Sequence, residues 1–256
     1  MENFKAYLEE QKLATTTIKN HIRNLSKLDI KLIEGNEKDL VKFIKKTYEF
    51  GSPQKTITTS VAKYRGYLNL PKSEISELLK TTNDDAFEIQ KKNNTQLELP
   101  DIKNVKSLMN LYLKQGMFRQ YVVMYLLLHL NTRNLDLVAK VTDNIDDVDK
   151  ENNWLYVRKS DCVYYRSKYK TSSTFGMKKN IIKSKRFHFA ISQLKHVLQP
   201  QENLYRSVMK ITGNISESTM MKLSLCNNNT AKGIKTLSKN RGTSVETIVN
   251  NYDCTK

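Results

Sequence analysis

The chain is poor in the residues that staple or metallate a small fold. Its three cysteines, Cys162, Cys226 and Cys254, lie far apart with no C-x-x-C pair, which excludes a disulfide framework and a zinc-finger pattern. Four histidines, His21, His129, His188 and His196, show no metal-ligand spacing, so no metal is expected. Long hydrophobic runs are missing too. The most apolar stretch, Tyr121–Leu130, is about half the ~20 residues that span a bilayer, and reads as a core helix. The opening MENFKAYLEE is acidic and lacks the basic-then-apolar order of a signal peptide. These absences set the expectation of a soluble, reducing, intracellular compartment, cytoplasm or nucleus, with no membrane partner.

Acidic residues are also scarce relative to basic ones. Lys and Arg number 43 against 26 Asp and Glu, a formal net charge of +17. An excess of that size suits a polyanion, most simply nucleic acid. An Asn- and Lys-rich coding composition would produce the same excess, so charge alone does not decide.

Within 256 residues there is room for two modest domains. Phe4, Tyr7 and Leu8 recur at helical spacing, and a second helix follows Thr15–Thr17 with Ile18, Ile22 and Leu25 on one face. Lys19, Arg23 and Lys27 lie on its other side. Asp39–Phe50 predicts a third helix, broken by Gly51-Ser52-Pro53, and Lys55–Leu68 a fourth. A short fifth, Ser73–Leu79, closes an all-helical domain over residues 1–82, with Lys55, Lys63 and Arg65 on a basic face. Each of these cations could equally be ordinary solvated surface. Residues 83–100 lie in a polar stretch without periodicity, TTNDDAFEIQKKNNTQLELP, and are expected to be a linker, with a helical turn available at Ala86–Gln90.

A second domain is expected over residues 101–256. It opens with Asp101–Lys114 and the run YVVMYLLLHLNTRNLDL. Three β-prone pieces follow, at Trp154–Val157, Cys162–Tyr165 and Asn180–Lys183, consistent with a small antiparallel sheet. Helices are expected at Phe189–Leu198, Gln201–Ile211, Glu217–Leu225, Thr230–Lys239 and Val245–Asn251. The fold class is therefore mainly α with a small antiparallel sheet. Between Arg158 and Arg186 the cations include Arg166, Lys168, Lys170, Lys178 and Lys179, opposed only by Asp161 and interleaved with Tyr164, Tyr165 and Tyr169. Such a hairpin is either a ribbon that tracks phosphates or an edge kept unpaired by lysines.

Arg133 stands at the joint between two core-forming segments. An unpaired buried guanidinium is costly, so it must either meet Asp136, three residues on, or face a cleft and hold an anion.

Two motifs bear on that choice. RNLDL, from Arg133, resembles the Arg-x-x-Glu/Asp-Leu box of the tyrosine recombinases (the phage-integrase family). GTSVETIVNNY, ending at Tyr252, resembles that family's final Gly-His-Ser…Tyr box, and FKAYLEEQKLATTTIKNHIRNL is similar to its DNA-clamping helical domain. The order, Arg133 early and Tyr252 late, is the more specific signal. The resemblance implies a two-domain clamp around duplex or junction DNA, acting as an oligomer on DNA. Cleavage would proceed through a 3′-phosphotyrosine and need neither ATP nor metal. It implies Tyr252 as nucleophile, Arg133 as first arginine, Asp136 as its acidic brace, and a hairpin lysine as general acid, Lys170 before Lys168 and Lys178. The implied DNA contacts are Lys19, Arg23, Lys55, Lys63, Arg65, Arg166, Lys168, Lys178 and Lys179. The chain departs from the family's pattern where Thr243 replaces histidine or tryptophan, Ser218 histidine, and Met221 the second arginine. Lys222 and Arg241 are the cations nearby that could serve instead. A scaffold that has lost its chemistry and packages or shapes DNA is the alternative reading. A protein-interaction module with incidental charge is a third.

Overall fold

In this computed structural model, which describes residues 1–96 and 98–252, the chain divides into two units, Met1–Asn93 and Asn94–Lys256. Cys254 and the linker's Leu97 lie outside the described residues.

The first unit is helical throughout: α1 (Glu2–Glu10), α2 (Thr15–Leu25), α3 (Ile30–Glu34), α4 (Glu37–Thr47), α5 (Ser52–Tyr67) and α6 (Ser73–Gln96). Local chemistry sets the starts. Asp29 and Asn36 accept the Lys31 and Lys38 amides at 2.9 Å to cap α3 and α4, and Pro53 occupies the first turn of α5, where its missing N–H costs nothing. Phe4, Leu8, Ile18, Leu25, Leu40, Ile44, Ile57, Val61 and Ile75 form the core, and the Phe4 ring meets Tyr64 edge-on at 5.0 Å.

Two expectations change. The division between the units falls within the stretch read as a linker, but much of that stretch is helical, because α6 runs unbroken from Ser73 to Gln96. Extending a nucleated helix costs little per residue, and no Gly or Pro intervenes before Pro100. Arg65 is not a surface cation: it is 2 % exposed. Its guanidinium donates to the carbonyls of Pro71 (2.7 Å), Ile33 (2.6 Å) and Gly35 (3.0 Å), so it ties α5 to the ends of α3 and of its own following loop.

The second unit is built on α7 (Ile102–Lys114) and α8 (Phe118–His129). Helix α8 buries Val122, Val123, Met124, Leu126, Leu127 and Leu128, a helix apolar on every side and therefore central. The strands are β1 (Ala139–Thr142), β2 (Asn153–Val157), β3 (Cys162–Arg166), β4 (Lys178–Ile182) and β5 (His196–Val197), in sheet order β4-β3-β2-β1-β5. The sheet is mixed rather than antiparallel: β1 and β2 run parallel. Their connection crosses over instead of turning tightly, and Asp149 organises it by accepting from the Glu151 amide (2.8 Å) and the Trp154 indole (3.2 Å). The remaining helices are α9 (Ser172–Phe175), α10 (Lys185–Ser192), α11 (Leu204–Ile211), α12 (Glu217–Cys226), α13 (Ala231–Arg241) and α14 (Val245–Tyr252). The helix expected at Phe189–Leu198 ends instead at Ser192, and His196–Val197 pairs with β1. Burial pushes the Cys162 thiol up to about 12, so it behaves as a core apolar group. Among the described residues no helix is long and apolar enough to cross a membrane.

Candidate functional site

The site forms where the end of α8, the end of α13 and the end of α14 meet. After α8, Asn131 adopts a left-handed φ of 53° and turns the chain into a short 3-10 segment, Asn134–Leu137. That turn leaves Arg133 half-buried at its head. The Asp136 carboxylate accepts the Arg133 backbone N–H at 3.1 Å. The Arg133 guanidinium donates to the Arg241 carbonyl at 2.8 Å, across 108 residues of sequence, placing a cation on the C-terminal carbonyl of α13, where the helix dipole is negative.

Arg241 answers in kind. Its guanidinium donates to the Asn131 carbonyl (3.1 Å), to Glu217 Oε1 (2.6 Å) and to the Tyr252 phenol oxygen (3.0 Å), and lies 5.0 Å from the centre of the Tyr252 ring. The side chain is 3 % exposed. Glu217, at the start of α12, uses its other oxygen to accept the Asn134 amide at 2.7 Å. Arg133, Arg241 and Tyr252 are thus brought together, with Glu217 as bridge. Burial lowers the pKa of Arg133, and the charge of Arg241 lowers it further, against the pull of Asp136, Glu217 and Tyr252. Two guanidiniums share this cluster with one carboxylate, Glu217, that is not already paired below it, a cationic surplus of which Arg133 is the half-buried part.

Below lies an ion pair that corrects one expectation, that of Arg166 as a DNA contact. Arg166 and Asp136 meet at 3.1 Å, both side chains 0 % exposed. Arg166 also donates to Asn180 Oδ1 at 3.3 Å and to the Asn240 carbonyl. A cation so enclosed cannot touch a DNA backbone, so Arg166 is a structural residue. Asp136 likewise braces the Arg133 backbone and the Arg166 guanidinium, whereas the Arg133 guanidinium goes to Arg241. Burial raises the Asp136 carboxyl while Arg166 and the Arg133 N–H draw it back.

The hairpin lysines separate by environment. Lys168 is exposed and pairs with Glu151 at 3.3 Å. Lys170 is exposed and, with Lys168, Tyr169, Asn152 and Leu135, lines a cleft of about 500 Å³. Lys178 is half-buried, donates to the Lys239 carbonyl at 2.7 Å, and has its pKa lowered by burial, then by Arg166, Lys239 and Arg133. Lys179 is exposed on β4.

Lys222 is buried on α12, about one and a half turns beyond Glu217. Met221 packs with Leu225, Leu237 and Ile248, so the position expected to hold the second arginine is part of a core. Ser218 is exposed, and the Thr243 carbonyl accepts from Ser238 at 2.6 Å. In the first unit, Lys19 and Arg23 are exposed on α2, and Lys55 and Lys63 half-buried on α5. Glu217 was not legible as a site residue. Its signal was local only: the Ser216 hydroxyl caps the Thr219 amide at 3.1 Å, making Glu217 a first-turn acid.

Buried polar atoms without a protein partner crowd this site. Of the seven among the described residues, six belong to Asn131, Thr132, Asn134, Asp136, Arg166 and Ser167. Such atoms are costly in a core, and their concentration marks the Arg133 turn as the place where packing has yielded to something else.

No family model and no curated protein sequence matches this chain. Among solved structures, one described as "Crystal structure of XerA recombinase" is distantly similar, at 16 % identity over 98 % of this chain and 92 % of that one, with a TM-score of 0.37.

Proposed function

We propose that this protein binds duplex or junction DNA and cleaves and rejoins a strand through Tyr252. The observation that carries the reading is the meeting of Arg133, Arg241 and Tyr252, from boxes more than a hundred residues apart, in one cationic cluster. Arg133 holds the nonbridging oxygens of the phosphate, since its planar fork grips two of them and stays charged. Arg241, buried and fully engaged, positions the phenol. The Tyr252 oxygen attacks phosphorus as the P–O5′ bond breaks. The phenol proton leaves to solvent and Lys178 protonates the departing 5′ oxygen, an assignment supported by its half-buried place against the Lys239 carbonyl near the end of α13 and by a pKa lowered by burial, then by Arg166, Lys239 and Arg133. The product is a 3′-phosphotyrosine whose attack by a 5′ hydroxyl reverses the step, conserving the bond energy without a cofactor.

The test uses a pool of nicked duplexes of randomised sequence, which trap the adduct when the short 5′ fragment diffuses away. A covalent protein–DNA band that vanishes in Tyr252→Phe is the expected result. Lys178→Ala slows adduct formation, and a 5′-bridging phosphorothiolate, whose sulfur leaves without an acid, restores it.

A second reading has its own support. Met221, Ser218 and Thr243 supply no cation, and a lost preorganised donor typically costs ~10²–10³ in rate. If the nicked pool never yields an adduct while salt-sensitive DNA binding persists unchanged in Tyr252→Phe, the protein is an architectural DNA-binding protein built on this scaffold.

A further inference from the structure

The loop joining β3 to β4 carries a feature that strand cleavage does not use. It exposes Phe175 (45 %) and Met177 (51 %) on either side of Gly176, whose φ of +64° makes the turn between them sharp. The loop is nevertheless seated firmly. The Tyr169 hydroxyl donates to the Gly176 carbonyl at 2.7 Å, Thr171 donates to the Gly242 carbonyl, and Lys178 to that of Lys239. Its fit on the turn after α13 is close enough that a Cβ at Gly242 would lie 2.6 Å from the Tyr169 ring. The two apolar side chains are therefore held out by an anchored backbone. Lys178 and Lys179 follow directly in the chain at the start of β4, with the Lys178 ammonium 5.4 Å from the Phe175 ring and that of Lys179 5.5 Å from the Tyr165 ring. Farther along the outer face of β4, Ile181 is also exposed (52 %).

We infer that Phe175 and Met177 form a wedge that enters a base step of duplex DNA next to the phosphate held by Arg133. A protein partner would be poorly matched by an apolar tip flanked by the cations Lys178 and Lys179. A duplex matches both parts: the lysines meet phosphates on the two sides of a groove, while phenyl and thioether groups slide between base pairs and unstack them. The wedge rests on the DNA-binding reading given above and adds local unwinding to it. Opening the step beside the reacting phosphate loosens the strand that Tyr252 must reach, at a deformation cost repaid by the contacts made.

Unwinding can be read without knowing the target sequence. The full chain carrying Tyr252→Phe, so that no strand is cut, is bound to a singly nicked plasmid. Ligase then seals the circle, and the linking-number distribution is compared with that of a protein-free control. The expected result is a shift that grows with bound protein. It is lost in Phe175→Ala/Met177→Ala, kept in Phe175→Leu/Met177→Leu, and accompanied by the same salt dependence of binding in all three, since the lysines are untouched. Thermal unfolding of the alanine pair matches its parent, because both side chains are exposed. Saturated binding with no shift overturns the wedge and leaves the functional reading standing. An alanine pair that shifts the plasmid as much as its parent overturns it as well, as does one that merely converts an oligomer into monomers, which would make the tip a protein interface. Absence of duplex binding in the preceding titration sinks the wedge and the functional reading together.

Discussion

Arg241 and Glu217 should be energetically coupled, and the size of that coupling follows from their surroundings. Arg241→Ala removes the 2.6 Å contact to Glu217, the 3.0 Å bond to Tyr252 and the 3.1 Å bond to Asn131. It leaves Glu217, whose side chain is 21 % exposed, charged beside the Asn134 amide. Removing one partner of a buried pair costs about 3–5 kcal/mol. Partial exposure of Glu217 brings this toward the lower end, so about 3 kcal/mol is expected. For a unit of this size each kcal/mol moves the midpoint by about 2–4 °C, which gives a fall of about 6–12 °C. Glu217→Ala should cost no less, since the stranded charge is then the more deeply buried guanidinium. The double variant strands neither, and its cost should fall short of the sum by about 2 kcal/mol. Trp154, the only tryptophan, reports unfolding of this unit alone. Costs that add within about 0.5 kcal/mol would refute the bridge as drawn, because independent sites add to that precision.

Two further outcomes concern the first unit. Arg65→Met strands three carbonyl acceptors and should destabilise this unit by about 3 kcal/mol, seen as faster hydrogen exchange in α5, whereas the salt slope of DNA binding stays unchanged because Arg65 touches no solvent. His21, bonded to Ser60 at 3.1 Å, has its pKa lowered from 6.5 by burial and by Lys63. The unfolded chain therefore takes up the proton first, and stability present above pH 6.5 is lost as the pH falls below it. His21→Gln should flatten that part of the stability profile between pH 7.5 and 5, and an unaltered slope would exclude His21 as its source.

How much of this was legible beforehand depended on the range of the interaction involved. Helix periodicity exposed the faces of α2, α4 and α5 because a buried stripe is a local pattern. The two boxes around Arg133 and Tyr252 could be found by their order, and they do meet. The partners of the arginines could not be read, since Arg133 binds a backbone carbonyl, which every residue has, and Arg241 meets Glu217, whose only sequence signal was local. Arg65 and Arg166 looked like surface cations for the same reason: what buries them is contributed by segments tens of residues away. The start of α6 was expected at Ser73–Leu79, but its unbroken run to Gln96 was not, because beyond Lys80 it has almost no apolar face. Strand β1 was hidden by its length of four residues, and the parallel pairing by a connection with no hairpin signal. Among the hairpin lysines, sequence favoured Lys170. The environment that supports Lys178 comes from Arg166, Lys239 and Arg133, none of which is its neighbour in the chain.

The enclosed pair of Arg166 and Asp136 fastens β3, β4, the end of α13 and the turn bearing Arg133 to one another through a single guanidinium. Alignment of the Arg133 turn with the end of α13 is thus inherited from an interior knot that is closed to solvent. The side chains that hold this shape differ from those that the proposed chemistry would use, so the outer ones can be exchanged, or retired altogether, while the mould keeps its form.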